Sequence, residues 1–285
     1  MLLCVDAGCG VGDLISDYRR DGYAVARGLF SADEVAAIAE ASEAVRAEGL
    51  AHGRSFRHGN LFYNVAQDER GEPLVRMAQW FAYHNPALDA VRLDRRYARL
   101  LAPLLGGDLK QIINQLHWKA RGASADFAWH QDSRFRKPPH AYRNLGASYV
   151  QTGLAIDPHG PASGGMRFVP GSHRRGTLPL DVTADVIANP MSDAALEAAG
   201  LDPAHVVDLV LEPGDVALWS PYLVHGSGSN RADHRRRFYI NGYVRAADCD
   251  RGEWAFRNGE PVALGPKPAL VHYEQLRERG EPHYV

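Results

Sequence analysis

Phe127-Ala-Trp-His-Gln-Asp-Ser133 is the stretch on which the reading of this chain turns. It sets His130 and Asp132 two residues apart, and on an extended strand positions i and i+2 face the same side. An imidazole and a carboxylate so placed can reach one metal ion together. A further histidine, His225, stands far downstream in Leu223-Val-His-Gly-Ser-Gly-Ser229. Added to the pair, it makes a two-histidine, one-carboxylate face with the other side of the metal open, the ligand set of non-haem Fe(II) oxygenases. Phe127, Trp129 and Phe135 flank the pair and predict an apolar surround.

Outward from that stretch the chain changes character once. Ser31, with Glu34 three residues on, predicts a capping box opening an Ala-rich helix over 33–49 that stops at Gly49. A second helical stretch is expected over 85–101, before Gly106-Gly107. From about Lys110 the pattern becomes short apolar or alternating runs broken by Gly and Pro: 110–118, 146–156, 165–169, 205–211, 215–219 and 235–244. Helices followed by many short strands predict a mainly β fold, a double-stranded β-helix or jelly roll of cupin-like type, backed by N-terminal helices. Residues 189–201 read as a helical insertion or a lid-like loop. The expected organisation is one domain over 1–285, with an N-terminal arm at 1–17 and the barrel core at about 110–245.

With 45% apolar residues the chain can bury a substantial core, and 32 basic against 34 acidic residues leave it near neutral. No basic block stands out beyond Arg235-Arg-Arg237, so neither nucleic acid nor an anionic membrane surface is expected as a partner. Cys4, Cys9 and Cys249 form no CxxC spacing or disulfide framework, which fits a reducing cytoplasm. No apolar run reaches the ~18 residues of a membrane span. A soluble, cytoplasmic protein acting on a small molecule is the expectation.

Five motifs occur in order. They are Tyr18-Arg-Arg-Asp-Gly-Tyr-Ala-Val-Ala-Arg-Gly-Leu-Phe-Ser-Ala-Asp-Glu-Val35, Trp129-His-Gln-Asp132, Gly165-Met-Arg-Phe-Val-Pro-Gly-Ser-His173, Glu212-Pro-Gly-Asp215 and His225-Gly-Ser-Gly-Ser-Asn230. From about Tyr18 to Tyr243 the chain resembles the phytanoyl-CoA dioxygenase family, which includes ectoine hydroxylase and many bacterial natural-product oxygenases. The resemblance implies an enzyme that uses Fe(II), 2-oxoglutarate and O2 and releases succinate and CO2. It implies His130, Asp132 and His225 as metal ligands and treats His173, the competing candidate among 13 histidines, as part of a turn. Related iron halogenases carry Ala or Gly where Asp132 stands, so hydroxylation or another hydrogen-abstraction outcome is expected here.

The family also places an arginine eleven positions after the distal histidine, which is Arg236. Strand parity agrees: residue 236 shares a face with Phe238 and Ile240, while Arg235 and Arg237 alternate away and are expected in solvent, as is His234. An inward guanidinium suits the distal carboxylate of 2-oxoglutarate, because its planar fork binds a carboxylate bidentately. By resemblance Ser227 hydrogen-bonds the same carboxylate. The register of ectoine hydroxylase sets His117 near the keto-acid end, where an asparagine is usual, and Phe127 against the co-substrate. Gly153 stands where the family has an aromatic residue. Phe62, Tyr63, Trp80, Phe81, Trp118 and Trp129 read as core or as an apolar pocket lining, and Arg134, Arg136 and Lys137 as a solvated loop.

Two rival classes remain. Leu2-Leu-Cys-Val-Asp-Ala-Gly-Cys-Gly-Val-Gly-Asp-Leu14 resembles the first motif of S-adenosylmethionine methyltransferases, but a Gly8-x-Gly10-x-Gly12 turn has meaning only inside a βαβ unit. A non-redox, cupin-like metal-binding protein would need no Arg236.

Overall fold

The computed structural model describes residues 11–68, 70–122, 126–180, 191–269 and 280–285. These fall into two compact units. The first comprises residues up to 30 together with 119–135 and 153–237; the second comprises 31–118, 136–152 and 238–285.

In the first unit the helix Val11–Asp21 buries Leu14, Ile15 and Tyr18 along one stripe, where an arm had been expected up to residue 17. Gly22 ends it at φ +86°, and the strand Tyr23–Ala26 then pairs antiparallel with Val216–Trp219, Tyr23 opposite Trp219. The other sheet is antiparallel in the order Phe127–His130, His225–Ser227, Met166–Phe168, Val207–Asp208. Phe168, fully buried, joins the two: its ring centroid lies 4.9 Å from Tyr23, 6.2 Å from Trp219 and 6.2 Å from His225. The Glu212-Pro-Gly-Asp215 motif works as a clasp on the first strand. Asp215 accepts from the Gly28 and Glu212 amides at 2.7 and 3.0 Å and from Arg27 Nη1 at 2.7 Å.

The helix Asp193–Ala198 lies within the insertion expected at 189–201, of which residues 189–190 fall outside the described residues. Leu196, Ala199 and Leu201 form a cluster with Trp129, Val169 and Val224. Gly8 and Gly10 also fall outside the described residues. The chain beyond them runs into a helix and then an antiparallel strand pair, with no parallel βαβ unit following them among the described residues, so the methyltransferase reading is not supported.

The second unit starts with the helix Ala32–Ala51. Ser31 Oγ accepts from Glu34 N while Glu34 returns the bond to the Ser31 amide, the expected capping box. The helix runs past Gly49, contrary to expectation. Gly49 is a contact position, where an added Cβ would meet Val75 Cγ2 at 2.9 Å. The stretch read as one helix over 85–101 is two, Pro86–Arg92 and Arg95–Leu105. Asp94 breaks it by accepting from the Arg96 amide at 2.8 Å, a cap that starts a new helix where the apolar spacing alone would have continued the old one.

The strands Phe56–His58, Leu61–Gln67, Pro73–Gln79 and Leu109–Lys119 form an antiparallel meander. The expected strand at 205–211 is only Val207–Asp208, after a 3₁₀ turn at Pro203–His205. Phe62, Tyr63, Trp80, Phe81 and Trp118 are all buried in this unit, and Trp129 in the other. Among the described residues no helix is long and apolar enough to cross a membrane.

Candidate active site

His130 ends the Phe127–His130 strand, and Asp132 opens the 3₁₀ turn Asp132–Phe135. The pair is therefore not carried on one extended strand as the spacing suggested; the turn, not the pleat, brings the carboxylate round. His225 begins the His225–Ser227 strand and stands directly opposite His130 in the antiparallel ladder. The two imidazole centroids are 4.1 Å apart, and His225 Nε2 lies 3.8 Å from Asp132 Oδ2. One ligand atom from each of the three residues lies within 4.8 Å of the others, and all three residues are buried. Among the described residues no other such group of three is found.

The chemistry of this donor set fits a divalent metal. His130 Nδ1 bonds the Ala128 carbonyl at 2.7 Å and His225 Nδ1 bonds the Leu223 carbonyl at 2.9 Å. A carbonyl only accepts, so each Nδ1 carries the proton and each Nε2 keeps its lone pair for a metal. Burial, with help from the adjacent His225, pushes the His130 imidazole well below its ordinary range and keeps it neutral. Trp219 Nε1 donates to Asp132 Oδ2 at 2.9 Å and fixes the carboxylate. Between the ligands, Gln131 is tied down at both ends. Its Nε2 donates to the Gly176 and Tyr222 carbonyls at 2.8 and 2.6 Å, and its Oε1 accepts from the Leu178 amide at 2.8 Å.

A cationic region belongs to the same unit. Arg236 is 4% exposed, as the family register required, while Arg235 is exposed. The parity argument predicted the burial of Arg236 on a false premise: Tyr239 and Asn241 are as buried as Phe238, and Ile240 is only half-buried. Arg237 is not solvated either; it clamps Asp157 through Nε at 2.9 Å and Nη2 at 2.7 Å. Arg236 Nη1 lies 3.2 Å from His159 Nδ1, and burial lowers its guanidinium to about 10 against the pull of Asp157. Ser227 is buried and accepts from Lys119 Nζ at 3.0 Å; the same Nζ sits 5.5 Å over the ring of half-buried Phe127.

His117 belongs to the second unit, paired with Met77 across the meander, its Nε2 3.3 Å from Gln115 Oε1. His173 sits on the 3₁₀ turn Ser172–Arg175, its Nε2 3.3 Å from the Arg19 carbonyl. His234 is half-buried beside Asp233 and not the open surface residue expected. Arg136 also departs from its expected solvated loop: it is 4% exposed, with Nη2 3.1 Å from the Tyr149 hydroxyl.

Residues 18–238 match the profile of the phytanoyl-CoA dioxygenase family (PhyH), well over half the chain. The chain belongs to that family. As a phytanoyl-CoA dioxygenase family member it is a non-haem iron, 2-oxoglutarate-dependent dioxygenase, and the methyltransferase alternative falls away. It is 26% identical over 231 residues to a probable alpha-ketoglutarate-dependent hypophosphite dioxygenase of Stutzerimonas stutzeri, covering 81% of this chain and 77% of the relative. To an ectoine dioxygenase of Sphingopyxis alaskensis it is 26% identical over 264 residues, covering 87% and 83%. The fold of this PhyH member is similar to that of AviO1 from Streptomyces viridochromogenes Tue57, with a TM-score of 0.63 at 26% identity over 85% of this chain and 98% of the other. It also matches SnoN, an epimerase solved with Fe3+, alpha ketoglutarate and nogalamycin RO, with a TM-score of 0.60 at 23% identity over 91% and 98%. These likenesses bear out the cupin-like jelly roll.

Trp219, Gln131, Lys119 and His159 were not singled out from sequence. A tryptophan in a strand and a lysine at a strand end carry no local signal; their meaning comes from what lies opposite.

Proposed function

We propose that His130, Asp132 and His225 bind one Fe(II), that Arg236 and Ser227 seat the distal carboxylate of 2-oxoglutarate, and that the enzyme hydroxylates a small specialised metabolite. The observation that carries this is the convergence of three ligand atoms within 4.8 Å, both histidines already oriented through Nδ1. When bound, iron with 2-oxoglutarate and O2 supplies the oxidising power, yielding succinate and CO2.

The protein's own residues do the rest. His130 and His225 present neutral Nε2 atoms. Asp132 supplies the anionic ligand and, held by Trp219, keeps the position that a halide would need. Arg236 offers two parallel donors to a carboxylate in a buried setting, where that pairing is strongest. Phe127 is read as lining the keto-acid end, a role supported by register alone, as is the separate reading of His117. The five ordered motifs and the family match, which draws on segments of both units, support reading the chain as one catalytic domain. Its sparse cysteines support a cytoplasmic setting.

The test is twofold. Anaerobic Fe(II) plus 2-oxoglutarate should give a weak visible charge-transfer band, lost in His225→Ala. A succinate-release screen over amino acids, acyl thioesters and polycyclic natural products should then find the substrate class; no turnover with any class would defeat the reading.

A further inference from the structure

The turn that delivers Asp132 also delivers a cation. Asp132–Phe135 is a single 3₁₀ turn, pinned where the Ser133 amide donates to the Pro221 carbonyl at 2.9 Å and the Arg134 amide to the Gln131 carbonyl at 3.3 Å. A backbone held in this way sends the next side chains in set directions. The Phe135 ring meets the His130 imidazole edge-on, with centroids 5.9 Å apart. The Arg134 guanidinium carbon lies 5.2 Å from the centroid of that same phenyl ring, within the range of a cation–π contact. Imidazole, phenyl ring and guanidinium thus follow one another outward: His130 is buried, while Phe135 and Arg134 are half-buried. The Arg134 charge is felt at the His130 imidazole.

The type of cation matters. A guanidinium over an aromatic ring keeps its N–H donors in its own plane, around the rim. A carboxylate that approaches in that plane takes two parallel hydrogen bonds, a geometry that lysine cannot copy. Partial burial strengthens such a pair, because less water competes for it. Arg136 and Lys137 lie beyond the turn, and Arg136 is buried against the Tyr149 hydroxyl in the second unit. Arg236, assigned to the co-substrate, groups instead with His159 and Lys119. Arg134 is therefore the cation that shares a turn with a candidate metal ligand.

We propose that Arg134 is a specificity-determining residue that takes a carboxylate of the substrate, so that the enzyme accepts acids in preference to their neutral counterparts. This rests on the assignment of Fe(II) to His130, Asp132 and His225.

Matched acids and primary amides test it on the full chain: hexanoate and hexanamide, phenylacetate and phenylacetamide, N-acetylleucine and its amide. Binding is read anaerobically, without turnover, from the shift that each causes in the visible band of the complex with Fe(II) and 2-oxoglutarate. In wild type an acid should shift the band at a concentration on the order of 10-fold below its amide, the worth of one charge-assisted hydrogen bond. Arg134→Gln should erase that preference by weakening the acid alone, with the affinities for 2-oxoglutarate and Mn(II) unchanged. Arg134→Lys should restore part of it. A wild type that binds acid and amide alike, or that responds to none of these compounds, overturns the proposal; that measurement stands even if the variants fail to fold. Equal weakening of acid and amide in Arg134→Gln also overturns it, since Arg134 would then only pack. Failure of the underlying assignment looks different: wild type would show no visible band with Fe(II) and 2-oxoglutarate, and His225→Ala would bind Mn(II) as wild type does.

Discussion

Trp219 Nε1 donates to Asp132 Oδ2 at 2.9 Å, and that same oxygen is the one 3.8 Å from His225 Nε2. The indole comes from the sheet pair Tyr23–Ala26 and Val216–Trp219, while both histidines lie on the opposite sheet. The carboxylate thus ties the two sheets together at the candidate metal site.

Trp219→Phe keeps an aromatic ring, smaller than the indole, and removes the donor. Metal affinity should fall ~10–100-fold, as is usual when a partner that orients a ligand is lost. Titration with Mn(II) or Fe(II) checks it, with circular dichroism to show that the fold is retained. An unchanged affinity would show that Asp132 needs no help.

His130→Ala, Asp132→Ala and His225→Ala should each abolish oxygen consumption. Each substitution removes one of the three donors proposed to hold Fe(II). Residual turnover in Asp132→Ala above that of the metal-free wild type would remove the carboxylate from the ligand set.

Arg236→Lys keeps a charge but loses the fork, so the KM for 2-oxoglutarate should rise with kcat little altered, and Arg236→Ala should raise it further. Steady-state kinetics in 2-oxoglutarate separates the two parameters. A fall in kcat at unchanged KM would assign Arg236 elsewhere.

Acid should destabilise the metal-free protein. Burial pushes His130 and His159 below their ordinary range, and His52 and His173 shift the same way, whereas the hydrogen bond to Glu48 raises His84. A depressed histidine contributes stability that is full above its unfolded value and lost as pH falls toward its folded one; a raised histidine does the reverse. The depressed groups are in the majority. The Tm should fall as the pH drops below about 6.5. Thermal melts from mildly acid to neutral pH check this; a Tm that climbs on acidification contradicts it.

Gly226→Ala should cost roughly 1–3 kcal/mol, because its Cβ would meet Phe127 O and Met191 Sδ, both at 2.8 Å. The first is backbone and cannot give without moving the strand that carries His130. Melting with and without Mn(II) should show the loss of metal stabilisation as well.

The legibility of each feature in the sequence depends on the range of the interaction behind it. His130 and Asp132 are neighbours in the chain, and the Ser31–Glu34 box closes over three residues, so both could be read locally. Arg236 was found by counting from His225, although its strand is buried on both faces and parity had little to discriminate. Asp94 was overlooked as a helix cap because apolar spacing continued across it. Lys119 and Ser227 are 108 positions apart, and Trp219 and Asp132 are 87 apart. Pairings at that range leave no periodic trace; only folding makes them neighbours.

His130 and His225 are partners across an antiparallel ladder. Their spacing is consequently inherited from the interval between adjacent strands, about 4.8 Å in any sheet. Asp132 differs: it comes from the turn after the strand, so its distance from the two imidazoles depends on that turn and on Trp219. Remodelling of loops remote from this ladder would leave the interval between the two imidazoles as it is.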